Sequence, residues 1–147
     1  FAPVNLNELV DELGLLVRHK LANQKIEMTR RLQPDLPPVM GDAPQLEQAF
    51  LNLILNAAEA MPDGGMLTVK TRAVKSRVII EFKDTGGGMS EELQKQVFTA
   101  VLSTTKTKGT GLGLAIVGRI VETHHGTIRI KSSSGRGTAM VISLPAK

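Results

Sequence analysis

The sequence predicts an α+β fold, a two-layer sandwich in which helices cover one face of a mixed, mostly antiparallel sheet. Three stretches carry apolar residues at helical spacing, and five shorter stretches have the character of strands. They follow one another as helix, strand, helix, two strands, helix and two strands. With 147 residues, of which 41% are hydrophobic and 22% charged, the chain is large enough to bury the core of one domain.

The first half of the chain predicts a helix, a strand and a second helix. Apolar residues at helical spacing predict a helix over 5–21, and alternation predicts a half-buried strand over 25–32. A proline-containing loop follows. Asp42 is expected to cap the second helix, with Pro44 in its first turn, and this helix is expected to end near Met61.

The second half predicts two hairpins around a third helix. The expected ranges are 66–72 and 77–83 for the first hairpin, 112–121 for the helix, and 127–132 and 138–144 for the closing hairpin. Gly126 is expected to cap the helix. A polar stretch, 85–110, lies between the first hairpin and the third helix, and one short helical turn is expected in it near 91–98. Loops longer than ~12–15 residues in a compact domain are usually functional or disordered.

Composition narrows the possible functions. The absence of cysteine excludes disulfides, thiolate zinc sites and thiol nucleophiles. No apolar run approaches the ~20 residues of a membrane span, and no secretory signal precedes the first helix, so we expect a cytoplasmic location. The net charge of +4 comes from scattered basic residues, and the aromatic residues are all phenylalanine. We therefore expect a polyanionic small ligand or an acidic partner rather than nucleic acid.

Two glycine clusters flank the long polar stretch. The first is Asp84-Thr85-Gly86-Gly87-Gly88-Met89, and the second is Gly109-Thr110-Gly111-Leu112-Gly113-Leu114. Glycine lets the backbone approach a ligand closely, and the second cluster enters a helix whose N-terminus suits phosphate. The second cluster lacks the lysine of a P-loop and the strand that precedes a dinucleotide fingerprint. Together the clusters predict a nucleotide held between them.

Three polar side chains stand out beside these clusters. Asn52 and Asn56 lie four residues apart on one face of the second helix. They are either hydrogen-bonded structural amides or oxygen ligands for Mg²⁺ beside phosphates. Asp84 is either a turn-initiating residue or a carboxylate that accepts from the exocyclic amino group of a base. Adenine and guanine both offer such a group.

The motifs form an ordered set: N-x-x-x-N on a helix, D-T-G-x-G-M after a strand, G-T-G-L-G-L entering a helix, and G-x-G-T before the last strand. This set resembles the catalytic, ATP-binding domain of sensor histidine kinases. That family shares a superfamily with type II topoisomerases, Hsp90-type chaperones and mismatch-repair ATPases. The resemblance covers 46–145. It implies a Bergerat ATP-binding fold, a single catalytic domain over 1–147 and a long ATP lid over 86–110.

The resemblance also implies a role for individual residues around ATP. Asn56 is the Mg²⁺ ligand, with Asn52 one turn earlier beside the phosphates. Asp84 reads adenine, and the Thr138 hydroxyl backs it. Further nucleotide-binding residues come from the two glycine boxes: Gly86, Gly88 and Met89 in the first, and Gly109, Thr110, Gly111, Leu112 and Gly113 in the second. Phe98 is the anchor of the F box, and 99–108 is the mobile part of the lid.

The chain departs from the commonest family pattern in two places, the F box and the residue three after Asn56. Ala100, Val101 and Leu102 follow Phe98 and Thr99 where further aromatic residues are common, which implies looser docking of the lid. Glu59 stands where many relatives place a lysine that touches phosphate. Phosphate charge must then be met from the lid, with Lys106 as first choice and Lys108 as second. The alternative is that both lysines are solvated charges on a loop and contact no phosphate.

The first asparagine of the N-x-x-x-N motif bears on the reaction. Relatives that hydrolyse ATP carry a glutamate where this chain has Asn52, and an amide cannot accept a proton from water. We therefore predict weak intrinsic ATPase activity, with Glu47 as the possible substitute base. The resemblance implies that Asn52 and Lys106 assist transfer to a histidine instead. His19, His124 and His125 are poor acceptors, expected at the surface or as polar or cationic caps at helix ends.

The predicted function is therefore a histidine kinase module that donates the γ-phosphoryl group of Mg·ATP. The acceptor histidine is expected on a dimerisation domain that precedes residues 1–22, and a response regulator is the expected downstream partner. The fragment is expected to be monomeric, and the full-length protein a homodimer whose membrane attachment the sequence leaves open. The alternatives are a serine kinase or ATP-gated regulatory module of the anti-sigma type, or a binding-only module.

Overall fold

The computed structural model describes residues 1–86, 111–132 and 136–147. Its elements are β1 (Ala2–Val4), α1 (Leu6–Asn23), β2 (Ile26–Leu32), β3 (Val39–Gly41), α2 (Ala43–Glu59), β4 (Gly65–Val74), β5 (Arg77–Asp84), α3 (Gly111–Thr123), β6 (Thr127–Ser132) and β7 (Thr138–Pro145). The predicted helical turn near 91–98 and the proposed lid beyond Gly86 lie outside the described residues. No helix in the described ranges is both long and apolar enough to cross a membrane.

The main sheet has five strands in the order β2-β4-β5-β7-β6. The β2–β4 pair is parallel, and the other three pairs are antiparallel. The prediction of a mixed, mostly antiparallel sheet is therefore confirmed. The register places Asp84 opposite Thr138, although 54 residues separate them. This pairing brings the end of the first hairpin to the start of the last strand.

Strand alternation separates a covered face from an open one. Val78, Ile80 and Phe82 of β5 are buried under the helices, as the period of two requires. Phe50 of α2 lies on Phe82, with ring centroids 5.5 Å apart. Helix α2 also packs against α1 and α3, so that the three helices form one layer over the sheet. The predicted two-layer sandwich is thereby confirmed.

The start of α2 follows the prediction closely. Asp42 has extended backbone angles, and its carboxylate accepts a hydrogen bond from the Gln45 N–H at 3.1 Å. Pro44 lies in the first turn, where its missing N–H costs nothing. The local chemistry therefore fixes where the helix that carries Asn52 and Asn56 begins.

A second, two-stranded sheet was not expected. Ala2–Val4 and Val39–Gly41 pair antiparallel, with Pro3 opposite Met40. Each strand has three residues, which is too short for alternation to distinguish a strand from a loop. The pairing ties the beginning of the chain to the segment that enters α2.

His124 provides the predicted polar cap at the end of α3, and it does so from a buried position. Only 3% of it is exposed. Its Nε2 accepts the Asp42 N–H at 3.0 Å, so the ring proton sits on Nδ1 and is donated to the Ile120 carbonyl at 2.8 Å. His124 is therefore neutral and joins the end of α3 to the start of α2.

Gly126 caps the end of α3 as predicted, but it is not the residue that takes the left-handed conformation. His125 adopts that conformation instead, with φ of 60°. The Gly126 N–H then reaches back to the Val121 carbonyl at 2.9 Å, and the His125 N–H donates to the Glu122 carbonyl. This pattern is a Schellman motif in which the glycine occupies the position after the left-handed residue.

Candidate functional site

The site is centred on Asp84, the last residue of β5. Its side chain lies on the covered face of the sheet and is 6% exposed. Its Oδ1 accepts hydrogen bonds from the Gly86 N–H at 2.8 Å and the Thr138 N–H at 3.3 Å. Its Oδ2 accepts no hydrogen bond from the residues that the structure describes. Two backbone N–H groups therefore hold Oδ1, and Oδ2 can accept a hydrogen bond from a ligand.

Burial dominates the electrostatics of this carboxyl. Loss of solvent raises the pKa of Asp84 above the ordinary value of 3.8, although the hydrogen bonds from Gly86 and Thr138 act in the opposite direction. The ionised form is therefore under-solvated in the domain without ligand. A ligand that donates a hydrogen bond to Oδ2 relieves part of this cost.

This raised pKa predicts a pH dependence of stability. Burial makes the folded state hold the Asp84 proton more tightly than the unfolded state, so protonation stabilises the fold at low pH. This stabilisation is lost as the pH rises from about 3.8 through the folded-state pKa. Urea unfolding should measure a free energy of unfolding of the wild type that falls, relative to that of Asp84→Asn, between pH 3.8 and the folded-state pKa. At higher pH the difference between the two proteins should stay constant. A difference between the two proteins that stays constant from about pH 3.8 upward would contradict the raised pKa.

Two glycines allow the chain to close around Asp84. A Cβ on Gly86 would lie 2.5 Å from the Ala60 carbonyl oxygen, at the end of α2. Gly137 has φ of +90°, and its Cβ would lie 2.1 Å from the Asp84 carbonyl oxygen. Neither backbone oxygen can move without disturbing its own element. The G-x-G-T motif therefore meets the first glycine box through main-chain contact.

Thr138 contacts Asp84 through its backbone rather than its hydroxyl. The Thr138 Oγ1 lies 2.8 Å from Ser132 Oγ, and Ser132 Oγ donates to the Gly137 carbonyl at 3.0 Å. The resemblance implies that the Thr138 hydroxyl backs Asp84, often through water, and that role stays a prediction; the direct contact in the structure is made by the N–H. Ser132 was missed by the sequence analysis. Its register opposite Thr138 in the closing hairpin is the signal that could have identified it.

Thr85 also has a structural role that the sequence analysis did not assign. Its Oγ1 accepts the Met66 N–H at 3.0 Å, and its own N–H donates to the Met66 carbonyl at 3.2 Å. These bonds extend the β4–β5 pairing one residue beyond Asp84. The turn into Gly86 is therefore fixed on both sides of the carboxylate.

Asn56 carries the clearest unsatisfied group near this site. Its Nδ2 is buried and has no hydrogen-bond partner in the part of the chain that the structure describes. A buried unpaired polar group costs ~1–3 kcal/mol, so this amide is suited to a ligand. Half a turn about its last side-chain bond presents the oxygen instead of the nitrogen. The backbone of Asn56 bonds to Ala60, the residue beside Gly86, which places both on one end of the sandwich.

An amide oxygen matches the donor set of a cation that is held mainly by phosphates. Across 1–86, 111–132 and 136–147, no three His, Cys, Asp or Glu residues are grouped to hold a metal ion on their own. Asn52 lies one turn before Asn56 on the same helix. The residues present therefore fit Mg²⁺ brought in with a nucleotide rather than a metal caged by protein.

The structure thus brings together Asp84, Gly86 and Thr138, with Asn56 on the adjoining helix. Gly111, Leu112 and Gly113 open α3, and only their helical backbone is described. The remaining predicted site residues lie outside the described residues: Gly88, Met89, Phe98, Lys106, Lys108, Gly109 and Thr110.

Comparison with known families gives a match over most of the chain. Residues 41–147 match the sequence model of the family described as "Histidine kinase-, DNA gyrase B-, and HSP90-like ATPase". This range begins just before α2 and includes every motif that forms the site.

Relatives identified by sequence are kinases, several of them named as sensor histidine kinases. The chain is 40% identical over 149 residues to Sporulation kinase C of Bacillus subtilis (strain 168), which covers all of this chain and 34% of that protein. It is 40% identical over 146 residues to the sensor histidine kinase ZraS of Klebsiella oxytoca, which covers 99% of this chain and 31% of that protein. The chain therefore spans about a third of these relatives.

Solved structures show the same fold. The catalytic domain of histidine kinase ThkA superposes with a TM-score of 0.85 at 30% identity, covering 99% of this chain and 95% of that one. Full-length ShkA in complex with AMPPNP gives a TM-score of 0.85 at 26% identity, covering 99% and 31%. ThkA in complex with the response regulator TrrA gives 0.80 at 23% identity, covering 100% and 42%.

Proposed function

Because the chain belongs to the family of histidine kinase-, DNA gyrase B- and HSP90-like ATPases, we propose that it binds Mg·ATP and donates the γ-phosphoryl group to a histidine on a separate dimerisation domain. The observation that carries the proposal is the buried Asp84 carboxylate, with one oxygen anchored by backbone N–H groups and the other open to a donor. Relatives that match nearly the whole chain are sensor histidine kinases.

Asp84 supplies the selectivity for the base. Its Oδ2 accepts a hydrogen bond from the exocyclic amino group of adenine, and the fixed Oδ1 prevents the carboxylate from rotating away. Gly86 lets the chain pack closely against Ala60 and the Asp84 carboxylate, where a side chain would collide. A structural neighbour, ShkA, binds the ATP analogue AMPPNP with the same fold, which supports an adenine nucleotide.

Asn56 would hold the metal that accompanies the nucleotide through its amide oxygen. Its buried Nδ2, which has no hydrogen-bond partner among the described residues, supports a ligand at this position. When bound, Mg²⁺ offsets the negative charge of the phosphate chain. Asn52 lies beside the phosphates, and Lys106 or Lys108 supplies the cation that Glu59 does not.

An amide replaces the glutamate that relatives which hydrolyse ATP carry one turn before the Mg²⁺ ligand. An asparagine, Asn52, stands one turn before Asn56, and an amide takes no proton from water. Glu47 is partly buried near the start of α2, five residues before Asn52. Water is therefore left inactive, and phosphoryl transfer proceeds by positioning ATP against a partner histidine. That histidine belongs to the longer protein, and a response regulator receives the phosphoryl group, as expected of a chain whose relatives are sensor histidine kinases about three times its length.

The direct test supplies the acceptor in trans. The histidine-containing helical domain of the parent protein is mixed with this chain and ATP labelled at the γ-phosphate. Acid-labile label on the helical domain is expected, and Asp84→Asn should strongly reduce it at ATP concentrations that do not saturate the variant. Acid-stable label on serine would favour the serine kinase alternative. Bound ATP with no transfer to any histidine would contradict the kinase proposal.

Replacing Asn56 by alanine should uncouple ATP binding from Mg²⁺. We expect ATP affinity in Mg²⁺ to fall on the order of 10-fold, the equivalent of one lost ligand contact. Affinity in EDTA should stay the same, because the amide acts through the metal. Calorimetric titration with and without Mg²⁺ measures both. Asn23→Ala, at the end of α1, is the control, and an unaltered Mg²⁺ dependence in Asn56→Ala would refute the role.

A further inference from the structure

The face of the five-stranded sheet that points away from the helices is rich in basic residues. We call it the outer sheet face. Strand alternation places on it the residues that do not point into the core, such as Lys83 of β5 and Lys131 of β6, which flank Ala139 of β7. Its basic residues are Arg31, Lys70, Arg72, Arg77, Lys83, Arg129 and Lys131, with Arg136 beside them in the final turn.

Positive charge is concentrated on this face. Eight basic residues stand against two acidic ones, Glu27 and Glu81, so the face carries an excess of six positive charges. The whole chain has a formal net charge of only +4. The remainder of the protein is therefore slightly negative. A domain polarised in this way turns one face towards an anionic surface.

These cations are not consumed by internal ion pairs. In the described part of the chain the one ion pair joins Arg30 to Asp11, on the helical side. Arg77 donates to Ser143 Oγ and to its carbonyl, which uses hydrogen-bond donors but neutralises no charge. Arg72, Arg129 and Lys131 are exposed. The charge on the outer sheet face is therefore available to a partner.

The outer sheet face is shallow and basic, which suits a partner whose negative charges are spread over a flat surface. A shallow depression of about 340 Å³ is lined by three basic residues, Lys83, Lys131 and Arg136, together with one acidic residue, Glu81, and several small residues. No aromatic side chain lies on the outer positions of its strands, whereas protein interfaces and single-stranded nucleic acids rely on aromatic anchors. Met66 and Val74, 41% and 40% exposed, stand at opposite ends of β4 on this face.

We propose that the outer sheet face binds an anionic phospholipid surface. Its lysines and arginines contact headgroup phosphates, and Met66 and Val74 enter the boundary with the acyl chains. Asp84 points to the opposite, helical side of the sheet, so lipid binding leaves the proposed nucleotide site open. The inference goes beyond the proposed kinase function, because binding to lipid needs neither ATP nor a phosphoacceptor.

Vesicle co-sedimentation tests the proposal with the 147-residue chain. Vesicles of phosphatidylcholine with about one-third phosphatidylglycerol, a strongly anionic surface, are compared with pure phosphatidylcholine at low salt, without nucleotide. The face variant carries Arg72→Glu, Arg129→Glu and Lys131→Glu. The matched control carries Arg18→Glu, Lys20→Glu and Arg119→Glu, which makes the same change in net charge at exposed positions of α1 and α3. Circular dichroism checks that both variants fold.

We expect binding to the anionic vesicles alone. Each basic residue at a membrane surface contributes about fivefold in affinity, so the face variant should lose on the order of 100-fold or more, and the control should bind nearly as the wild type. Failure of the wild type to bind anionic vesicles, or an equal loss in both variants, would overturn the proposal. Tighter binding to duplex DNA than to vesicles, lost in the face variant, would assign the face to nucleic acid instead.

Discussion

Replacing Asp84 by asparagine is expected to weaken ATP binding by ~10- to 100-fold, the loss typical of a hydrogen bond to a charged acceptor. The amide that replaces the carboxylate retains an oxygen for the Gly86 and Thr138 N–H groups, but its nitrogen opposes the amino group of adenine. The nucleotide-free variant should melt at a higher temperature than the wild type, because an under-solvated charge is removed. Affinity and stability therefore move in opposite directions.

Calorimetric titration with ATP and thermal unfolding without it measure the two effects. Asp42→Asn is the matched control, because Asp42 caps α2 through a similar oxygen and asparagine caps equally well. That control should keep both the affinity and the melting temperature. Unchanged ATP binding in Asp84→Asn would remove the carboxylate from the base-recognition site.

Gly137→Ala is expected to have the largest effect on stability. A Cβ there would lie 2.1 Å from the Asp84 carbonyl oxygen, and the φ of +90° is strained for alanine. We expect a loss of more than about 2 kcal/mol in the free energy of unfolding, the combined result of strain and collision. Since the displaced group is the main chain of Asp84, the folded fraction should also bind ATP weakly.

Urea unfolding of Gly137→Ala and Gly14→Ala compares the same chemical change at two sites. Gly14 lies inside α1, where a Cβ would meet the end of the flexible Arg30 side chain at 3.1 Å. Alanine there should be neutral or stabilising by up to about 1 kcal/mol, since it favours the helix. Equal stability of the two variants would contradict the tight contact between Gly137 and Asp84.

The long elements could be predicted because each repeats one period many times. Both α1 and α2 begin and end within a few residues of the predicted positions, and the Asp42 cap is as expected. Three-residue strands such as β1 and β3 repeat too little to be seen. The parallel pairing of β2 with β4 depends on how α2 crosses the sheet, which no local pattern encodes.

For the candidate site, residues within one motif were predictable and contacts between motifs were not. Asp84 and Gly86 stand two residues apart, so their relation is local. The Ser132–Thr138 hydroxyl pair depends on the register of the final hairpin. The burial of His124 was visible in principle, because it continues the helical stripe of Val117, Ile120 and Val121. A helix-terminal histidine was instead interpreted by its charge.

The distance in sequence between Asp84 and Thr138 has a consequence for folding. Their contact closes a 54-residue interval and forms only when β7 inserts between β5 and β6. Such non-local pairing is slow, because loop closure must be completed before the contact is gained. Chains in which β7 has not inserted therefore lack the Thr138 contact that anchors Asp84. During synthesis, the proposed nucleotide site is completed only after β7 has left the ribosome.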